Sequence, residues 1–457
     1  MSEQFDLVII GAGPGGYSTA LRAAELGMKV ALVERDATVG GTCLNRGCIP
    51  SKALITATHT IDTVHRAAEL GVNASVNGID FGTLRDYRLR VVKTMVGGLA
   101  GLLAHRGITV FRANAAFHAD ETAPATSNHI VHLVPSPDQS DILTYHKADV
   151  PEPSGPRWTS RPRTSSSPPV PSHAHCPVTR SPAPSSTPHR RWKSTNFPRR
   201  RWIIGAGAIA LEFASMWNAA GSKVTLLIRK DRVLSAWDRR AGTTLTRELK
   251  RHGVNIITRA SVTHVDTGAN LGATVHYTRE GQDGEQSVWG EIALVAIGRD
   301  PITDPAWGVT IDDHGHVATD AYGRTDKPGV WAVGDVTAGH ALAHRAFEQG
   351  IVIAETIAGL NPKPVDEATV PQIVFSFPEA ASVGLTVEQA QAREDLIEIK
   401  ETNYPMLANA RMLMSGTAGS LTIVSGCDAA NPDTPRVLGV TWSPRWPPTS
   451  SPKPNSW

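Results

Sequence analysis

The sequence predicts a doubly wound α/β protein of several domains, and three observations predict it. A short apolar strand signal at Leu7–Ile10 runs into a glycine-rich turn, a helical stretch to Gly27 and a second strand at Lys29–Val33. Strand–turn–helix–strand is the unit from which parallel sheets are wound. The same signature recurs at Ile203–Ile228. Finally, 457 residues exceed one ordinary domain, since about 150 residues per domain suggests roughly two to four.

Composition narrows the classes. A hydrophobic content of 41% and a formal net charge of +2 fit a globular enzyme, with no global pull toward nucleic acid or a membrane. Four cysteines are too few for a disulfide-stapled secreted protein. In a reducing cytosol a close cysteine pair points instead to catalysis or metal binding. The N-terminus has no basic region followed by an apolar core, and no apolar run nears the roughly 18 residues of a membrane helix. The expected location is the cytoplasm.

The first glycine-rich turn reads Gly11-Ala-Gly13-Pro-Gly-Gly16, between a strand and a helix. That is the context a dinucleotide fingerprint requires. Gly11 permits the tight turn, Gly13 lets the backbone approach a pyrophosphate, and Gly16 lets the helix pack on the strand. The helix N-terminus offers free N–H groups to that phosphate. Glu34 closes the second strand, 23 positions after Gly11, where a carboxylate can accept a ribose hydroxyl. A purely structural glycine turn is the bland alternative.

Directly afterwards comes Gly40-Gly41-Thr42-Cys43-Leu-Asn-Arg-Gly-Cys48-Ile-Pro-Ser-Lys52. In a regular helix, positions five apart lie roughly 140° apart around the axis. A Cys43–Cys48 bridge therefore needs a distorted or looped segment, for which Gly47 gives freedom. Pro50 suits a helix's first turn, where its missing N–H is no loss. A helix N-terminus with Arg46 or Lys52 nearby would lower a thiol pKa. From these residues alone, a redox pair and two buried structural thiols both stand open. Zinc is disfavoured, because no second Cys/His pair at ligand spacing accompanies this one, and no metal is expected.

The second turn, Gly205-Ala-Gly207-Ala-Ile-Ala210, matches the same fingerprint and precedes a helical run and the strand Lys223–Ile228. A duplicated fold without a ligand is its bland reading. The offset that leads from Gly11 to Glu34 leads here to Ile228, followed by Arg229-Lys230. An arginine near this position accommodates the 2′-phosphate of NADP, whereas an acid would select NAD. Arg229 as a solvated strand-end charge is equally open.

The segment GGTCLNRGCIPSKAL resembles the active-site motif of the flavin-dependent disulfide oxidoreductases, the family of dihydrolipoamide dehydrogenases and of glutathione and mercuric reductases. The resemblance implies FAD at the first turn, with Gly41, Thr42 and Lys52 among its contacts, and NAD or NADP at the second. It makes Cys43 the interchange thiol, Cys48 the thiol facing the flavin, and Lys52 the lysine beside the ring. Glu212, in the second motif, matches that lysine's usual partner. Val330-Trp-Ala-Val-Gly334-Asp335 resembles the family's second FAD motif, although Gly-Asp is more often a plain turn. Gly298-Arg299 resembles its strand-end motif, and Val370–Gly384 the start of its dimerisation domain. The implied reaction oxidises dihydrolipoamide, or a similar dithiol on a carrier protein, and reduces NAD. An NADPH-dependent disulfide reductase is the nearest alternative.

The expected architecture is thus α/β, with two Rossmann-like domains for FAD and NAD(P) and a partial α+β dimerisation domain. Its parts would be 1–150 and 301–365 for FAD, 202–300 for NAD(P) and 366–440 for a homodimer interface. Two stretches do not fit. Residues 151–201 carry 12 of the 32 prolines between 151 and 200, with one acidic residue and no Leu or Ile. Residues 441–457 hold five prolines and three tryptophans. Such text buries too little apolar area to offset the entropy of ordering it. It reads as disordered linker or as the product of a shifted reading frame, which resequencing decides. Relatives close with a His-Pro…Glu segment that supplies the acid–base histidine. Its absence here would leave an incomplete interface domain and a catalytically impaired product.

Overall fold

A computed structural model describes residues 3–117, 129–135, 199–266, 272–406, 409–414 and 419–445. Positions 151–198 and 446–457, the bulk of the two anomalous stretches, lie outside the described residues. The chain divides into two compact units. The first comprises the described residues within 1–53, 86–172 and 300–367; the second comprises those within 54–85, 173–299 and 368–457.

The first unit is built on β1 (Leu7–Ile10), α1 (Pro14–Glu25) and β2 (Val30–Glu34), with α2 (Gly41–Asn45) following. The helix α3 (Cys48–Arg66) begins here and runs into the second unit, and α4 (Phe81–His105) returns to β3 (Thr109–Phe117) and β4 (Val131–Pro135). The sheet order is β1-β2-β3-β4; the first three strands are parallel and β4 is antiparallel to β3. β2 is buried along its whole length, as a strand covered on both faces must be.

Helix α1 starts on Pro14, whose fixed φ suits the first turn. It stops where Gly27 takes φ +87 and Met28 donates its N–H back to the Ala23 carbonyl. Its buried residues Gly16, Thr19, Ala20 and Ala23 follow the three-and-four spacing of one helical face. Small side chains let the helix Ala343–Ile357 come close. A Cβ added at Gly350 would lie 2.8 Å from both the Gly15 carbonyl and the Thr19 nitrogen. Ser18 Oγ donates to the Phe347 carbonyl at 2.7 Å, and Arg22 pairs with Glu355 at 2.6 Å. On α4, Val92, Val96, Leu99 and Leu103 turn one apolar stripe to the core of Ile9, Val30 and Leu32.

The second unit repeats the plan with β5 (Arg200–Ile204), α5 (Ala208–Ala219), β6 (Lys223–Ile228), α6 (Arg239–Arg251) and β7 (Asn255–Thr258). An antiparallel ribbon follows, β8 (Ala260–Asp266), β9 (Ala273–Arg279) and β10 (Gln286–Gly290), and then β11 (Ile292–Val295). The parallel order is β11-β5-β6-β7. Ile203, Leu211, Leu226, Ile228, Leu245 and Leu249 form its fully buried centre.

A five-stranded antiparallel sheet completes this unit: β12 (Gln372–Val374), β13 (Glu379–Gly384), β14 (Leu396–Pro405), β15 (Ser420–Asp428) and β16 (Asn431–Arg445), ordered β12-β13-β16-β15-β14. The strand β16 runs through the compositional break at 440. Thr441 and Trp442 pair with Ser382 and Ala381 on one side and with Thr422 and Leu421 on the other. An extended backbone paired on both edges accommodates these residues whatever their composition suggests.

Candidate active site

The first turn is held from three directions. Gly11 donates its N–H to the Val33 carbonyl at 2.8 Å, tying the end of β1 to β2. A Cβ at Gly16 would overlap the Gly11 carbonyl oxygen, so helix and turn meet backbone to backbone. Glu34 is 7% exposed, and its carboxylate accepts the N–H of Ala12 and that of Asp36, both at 2.9 Å. Burial raises its pKa, with those two donors pulling the other way. The side chain expected to meet a ribose thus also fixes the turn. Each carboxylate oxygen keeps a second lone pair for a hydroxyl.

The cysteine segment lies on this turn. Gly40 donates its N–H to the Ala12 carbonyl at 2.8 Å, and a Cβ at Gly41 would sit 2.7 Å from Gly13 Cα. Side-chain-free backbone on both strands of this contact leaves a cradle that fits a dinucleotide's pyrophosphate.

Cys43 rides on α2, and Cys48 opens α3. Between them the N–H groups of Arg46 and Gly47 both donate to the Thr42 carbonyl, at 3.0 and 2.7 Å. This wide turn breaks the helix and swings Cys48 back toward Cys43, as the five-residue spacing requires. The two are free thiols joined by a side-chain hydrogen bond, with Cys43 half-buried and Cys48 exposed. Pro50 occupies the first turn of α3, where Ser51 caps the Cys48 carbonyl through Oγ at 3.0 Å.

The electrostatics differ from the expected lowered thiol. The hydrogen bond to Cys48 raises the Cys43 pKa most, followed by burial and by the charges of Cys48 and Asp335; Lys52 acts in the opposite direction. Arg46 is committed elsewhere, in an ion pair with Asp36 at 2.5 Å. Tyr17, which the sequence did not single out, is pushed up to about 12 by burial and then by the two cysteines. Its phenol stays neutral. The only signal for it was its position directly after Gly16 on the first turn of α1.

Asp335 is exposed on a short helical turn, Gly334–Val336. Gly334, at φ +82, donates its N–H to Gln349 Oε1 at 3.0 Å and accepts from Thr337 Oγ1 at 2.9 Å. Arg345 is buried beside it, its guanidinium held by Glu367 and the Ala338 carbonyl. Gln349 escaped the sequence reading because its partner, Gly334, is met only once the helix folds back on the turn. Gly11, Gly13, Gly16, Glu34, Gly41 and Thr42 thus gather in the first unit with Cys43, Cys48, Lys52, Gly334 and Asp335.

The second unit holds the other set. At Gly205, φ is +133 and a Cβ would strike the Ala296 carbonyl, so only glycine fits between β5 and the end of β11. Gly207 caps α5 and Ala210 is fully buried where the helix packs. Glu212 is buried and accepts the Phe375 N–H at 3.2 Å. Arg229 and Lys230 are exposed at the end of β6, and Gly298, at φ +141, follows β11. Among the described residues neither Arg229 nor Lys230 has a salt-bridge partner.

The model of pyridine nucleotide-disulphide oxidoreductases matches residues 5–132 and 176–350, and that of their dimerisation domain matches 370–442. The chain belongs to this family. It is 34% identical to a dihydrolipoyl dehydrogenase of Bacillus subtilis over 426 residues, 92% of this chain and 84% of that protein. A dihydrolipoyl dehydrogenase of Geobacillus stearothermophilus is 32% identical, covering 92% of this chain and 83% of its own length. One of Chlamydia trachomatis is 33% identical, at 96% and 87%. The crystal structure of LpdA from Mycobacterium tuberculosis shares the fold, with a TM-score of 0.73, 24% identity, and coverage of 95% of this chain and 89% of that one. FAD and NAD(H) are the cofactors that membership of the pyridine nucleotide-disulphide oxidoreductases carries. The sheet β12–β16 makes up most of the dimerisation domain. Among the described residues no helix is long and apolar enough to cross a membrane.

Proposed function

We propose that this chain is a dihydrolipoyl dehydrogenase, converting dihydrolipoamide and NAD+ to lipoamide, NADH and a proton. The observation that carries the reading is the thiol pair, Cys43 hydrogen-bonded to Cys48 across a helix break beside the nucleotide turn. The disulfide form of this pair is the oxidant. A substrate thiolate attacks Cys43 Sγ, the Cys43–Cys48 bond breaks, and Cys48 leaves as thiolate. The second substrate thiolate then attacks the substrate sulfur of the mixed disulfide. Cyclic lipoamide departs and Cys43 leaves reduced, taking up the proton that its raised pKa favours. The positive charge of Lys52 favours the thiolate form.

Gly11, Gly13, Gly16, Glu34, Gly41, Thr42, Lys52, Gly334 and Asp335 would hold FAD, and Gly205, Gly207, Ala210, Arg229 and Gly298 the nicotinamide nucleotide. Glu212 keeps the role that the motif implies. When bound, FAD supplies the two-electron relay between dithiol and nicotinamide. The family dimerisation domain supports a homodimer, a substrate lipoyl group fits a carrier protein, and the low cysteine count suits the cytoplasm.

Steady-state oxidation of dihydrolipoamide by NAD+ tests the proposal. Cys43→Ser is expected to lose activity by orders of magnitude; full activity in that variant would refute the dithiol route. A second reading, NADPH-dependent disulfide reduction, draws on Arg229 and Lys230 standing where an acid would select NAD. Rates with NADH and NADPH separate the two.

A further inference from the structure

On the antiparallel ribbon of the second unit, His264 of β8 pairs directly with His276 of β9. The register of β8 shifts between Val262 and His264, a bulge that re-aims the following side chains. The imidazoles stack at 4.0 Å with an interplanar angle of 10°. Both Nε2 atoms face Asp266 Oδ2, at 3.8 Å from His264 and 3.1 Å from His276. We propose that His264, His276 and Asp266 form a binding site for a divalent transition metal of the zinc class, separate from the dithiol chemistry.

The distances suit such an ion. Metal–ligand bonds of about 2.0–2.1 Å in a tetrahedral site place neighbouring donor atoms about 3.3 Å apart. The two Nε2–carboxylate separations bracket that value, and all three donor atoms lie within 4.8 Å of one another. Two imidazoles and one carboxylate favour zinc, copper or nickel over calcium or magnesium, which take oxygen.

The opposite edges of the rings are backed as metal-bound histidines are. Thr263 Oγ1 donates to Glu285 Oε1 at 2.6 Å, leaving its lone pair for His264 Nδ1–H at 3.2 Å. His276 Nδ1 lies 3.5 Å from Glu285 Oε2. Protons held at Nδ1 leave each Nε2 lone pair in its own ring plane, so the stacked rings must splay slightly for both to reach one ion beside Asp266. Three protein ligands on a partly exposed ribbon leave the remaining coordination to water.

Zinc titration of the full-length holoenzyme tests this, with the Cys43–Cys48 pair oxidised and other accessible thiols alkylated. Calorimetry should find one site that His276→Asn weakens at least tenfold. Asp266→Asn, at an exposed carboxylate, should weaken it less and serves should the histidine variant misfold. Copper(II) bound to the wild type should show hyperfine coupling to two imidazole nitrogens in electron paramagnetic resonance. Identical titrations of wild type and both variants, or coupling to fewer than two nitrogens, would overturn the assignment.

Discussion

Gly41 packs against Gly13, so closely that one β-carbon on Gly41 would stand 2.7 Å from the Gly13 Cα. The contact fastens the segment bearing the reactive thiols to the turn that would cradle a pyrophosphate. Gly41 also has φ +56, which a side chain resists. Gly41→Val should force the two backbones apart and lower the flavin content of the purified protein at least tenfold. The ratio of flavin absorbance to protein absorbance reads this directly. A fully yellow variant would uncouple the contact from cofactor binding.

The hydrogen bond between the thiols sets their order of reaction. Cys43 is half-buried, and its hydrogen bond to Cys48 raises its pKa, so it holds its proton more tightly than an ordinary thiol, whereas Cys48 is exposed to the reagent; the thiolate is the nucleophile. Iodoacetamide at neutral pH should therefore alkylate Cys48 before Cys43, as mapped by peptide mass spectrometry. In Cys48→Ser the thiol partner is gone, and the pH at which Cys43 reacts should drop. Faster labelling of Cys43 in the wild type would reverse the assignment.

Asp62 is a half-buried carboxyl that lines a small cavity with Ser215, Asn218, His252, Val254 and Phe377. Burial pushes its pKa up to about 7, with Arg66 opposing. A carboxyl whose folded pKa is raised binds its proton more tightly in the fold than in the unfolded chain. Its penalty is absent below the unfolded pKa of about 4, grows as pH rises, and is complete above the folded value. Asp62→Asn should accordingly stabilise the protein at pH 8 by up to roughly 3 kcal/mol, less where water screens the site, and by far less at pH 5. Denaturant melts at the two pH values measure the difference.

Arg229 stands exposed just after Ile228, the last residue of β6. A charge-assisted hydrogen bond to a 2′-phosphate contributes about 1.5–3 kcal/mol. If the arginine serves that phosphate, Arg229→Ala should lower kcat/KM for NADPH at least tenfold and leave NADH unchanged. No change with either nucleotide would make it a solvated surface charge, and equal losses would place it on a part that the two share.

Much of this site was legible because its constraints are local. Gly16 answers to the Gly11 carbonyl within one turn, Gly11 to its φ of +97, and the Cys43–Cys48 spacing demands a helix break that Gly47 permits. What the sequence hid depends on contacts made across the fold. Arg46 looked available to the thiols until its ion pair with Asp36 took it away. Gln349 and Arg345 brace the Gly334 turn through contacts that only the folded helix makes. His264 and His276 are neighbours only through strand pairing, which no ligand spacing announces. The Trp- and Pro-rich composition after 440 concealed the end of β16, where Thr441 and Trp442 are placed by partners on both sides, Ser443 by Ser420 and Arg445 by Glu379.

Everything rests on electrons passing through a pair of sulfurs to a flavin, and anaerobic reductive titration counts them. Folded, flavin-loaded protein should consume four electrons per subunit from dithionite, two for the Cys43–Cys48 bridge and two for FAD. Consumption of only two, with both thiols found free beforehand under oxidising conditions, would contradict the dithiol mechanism.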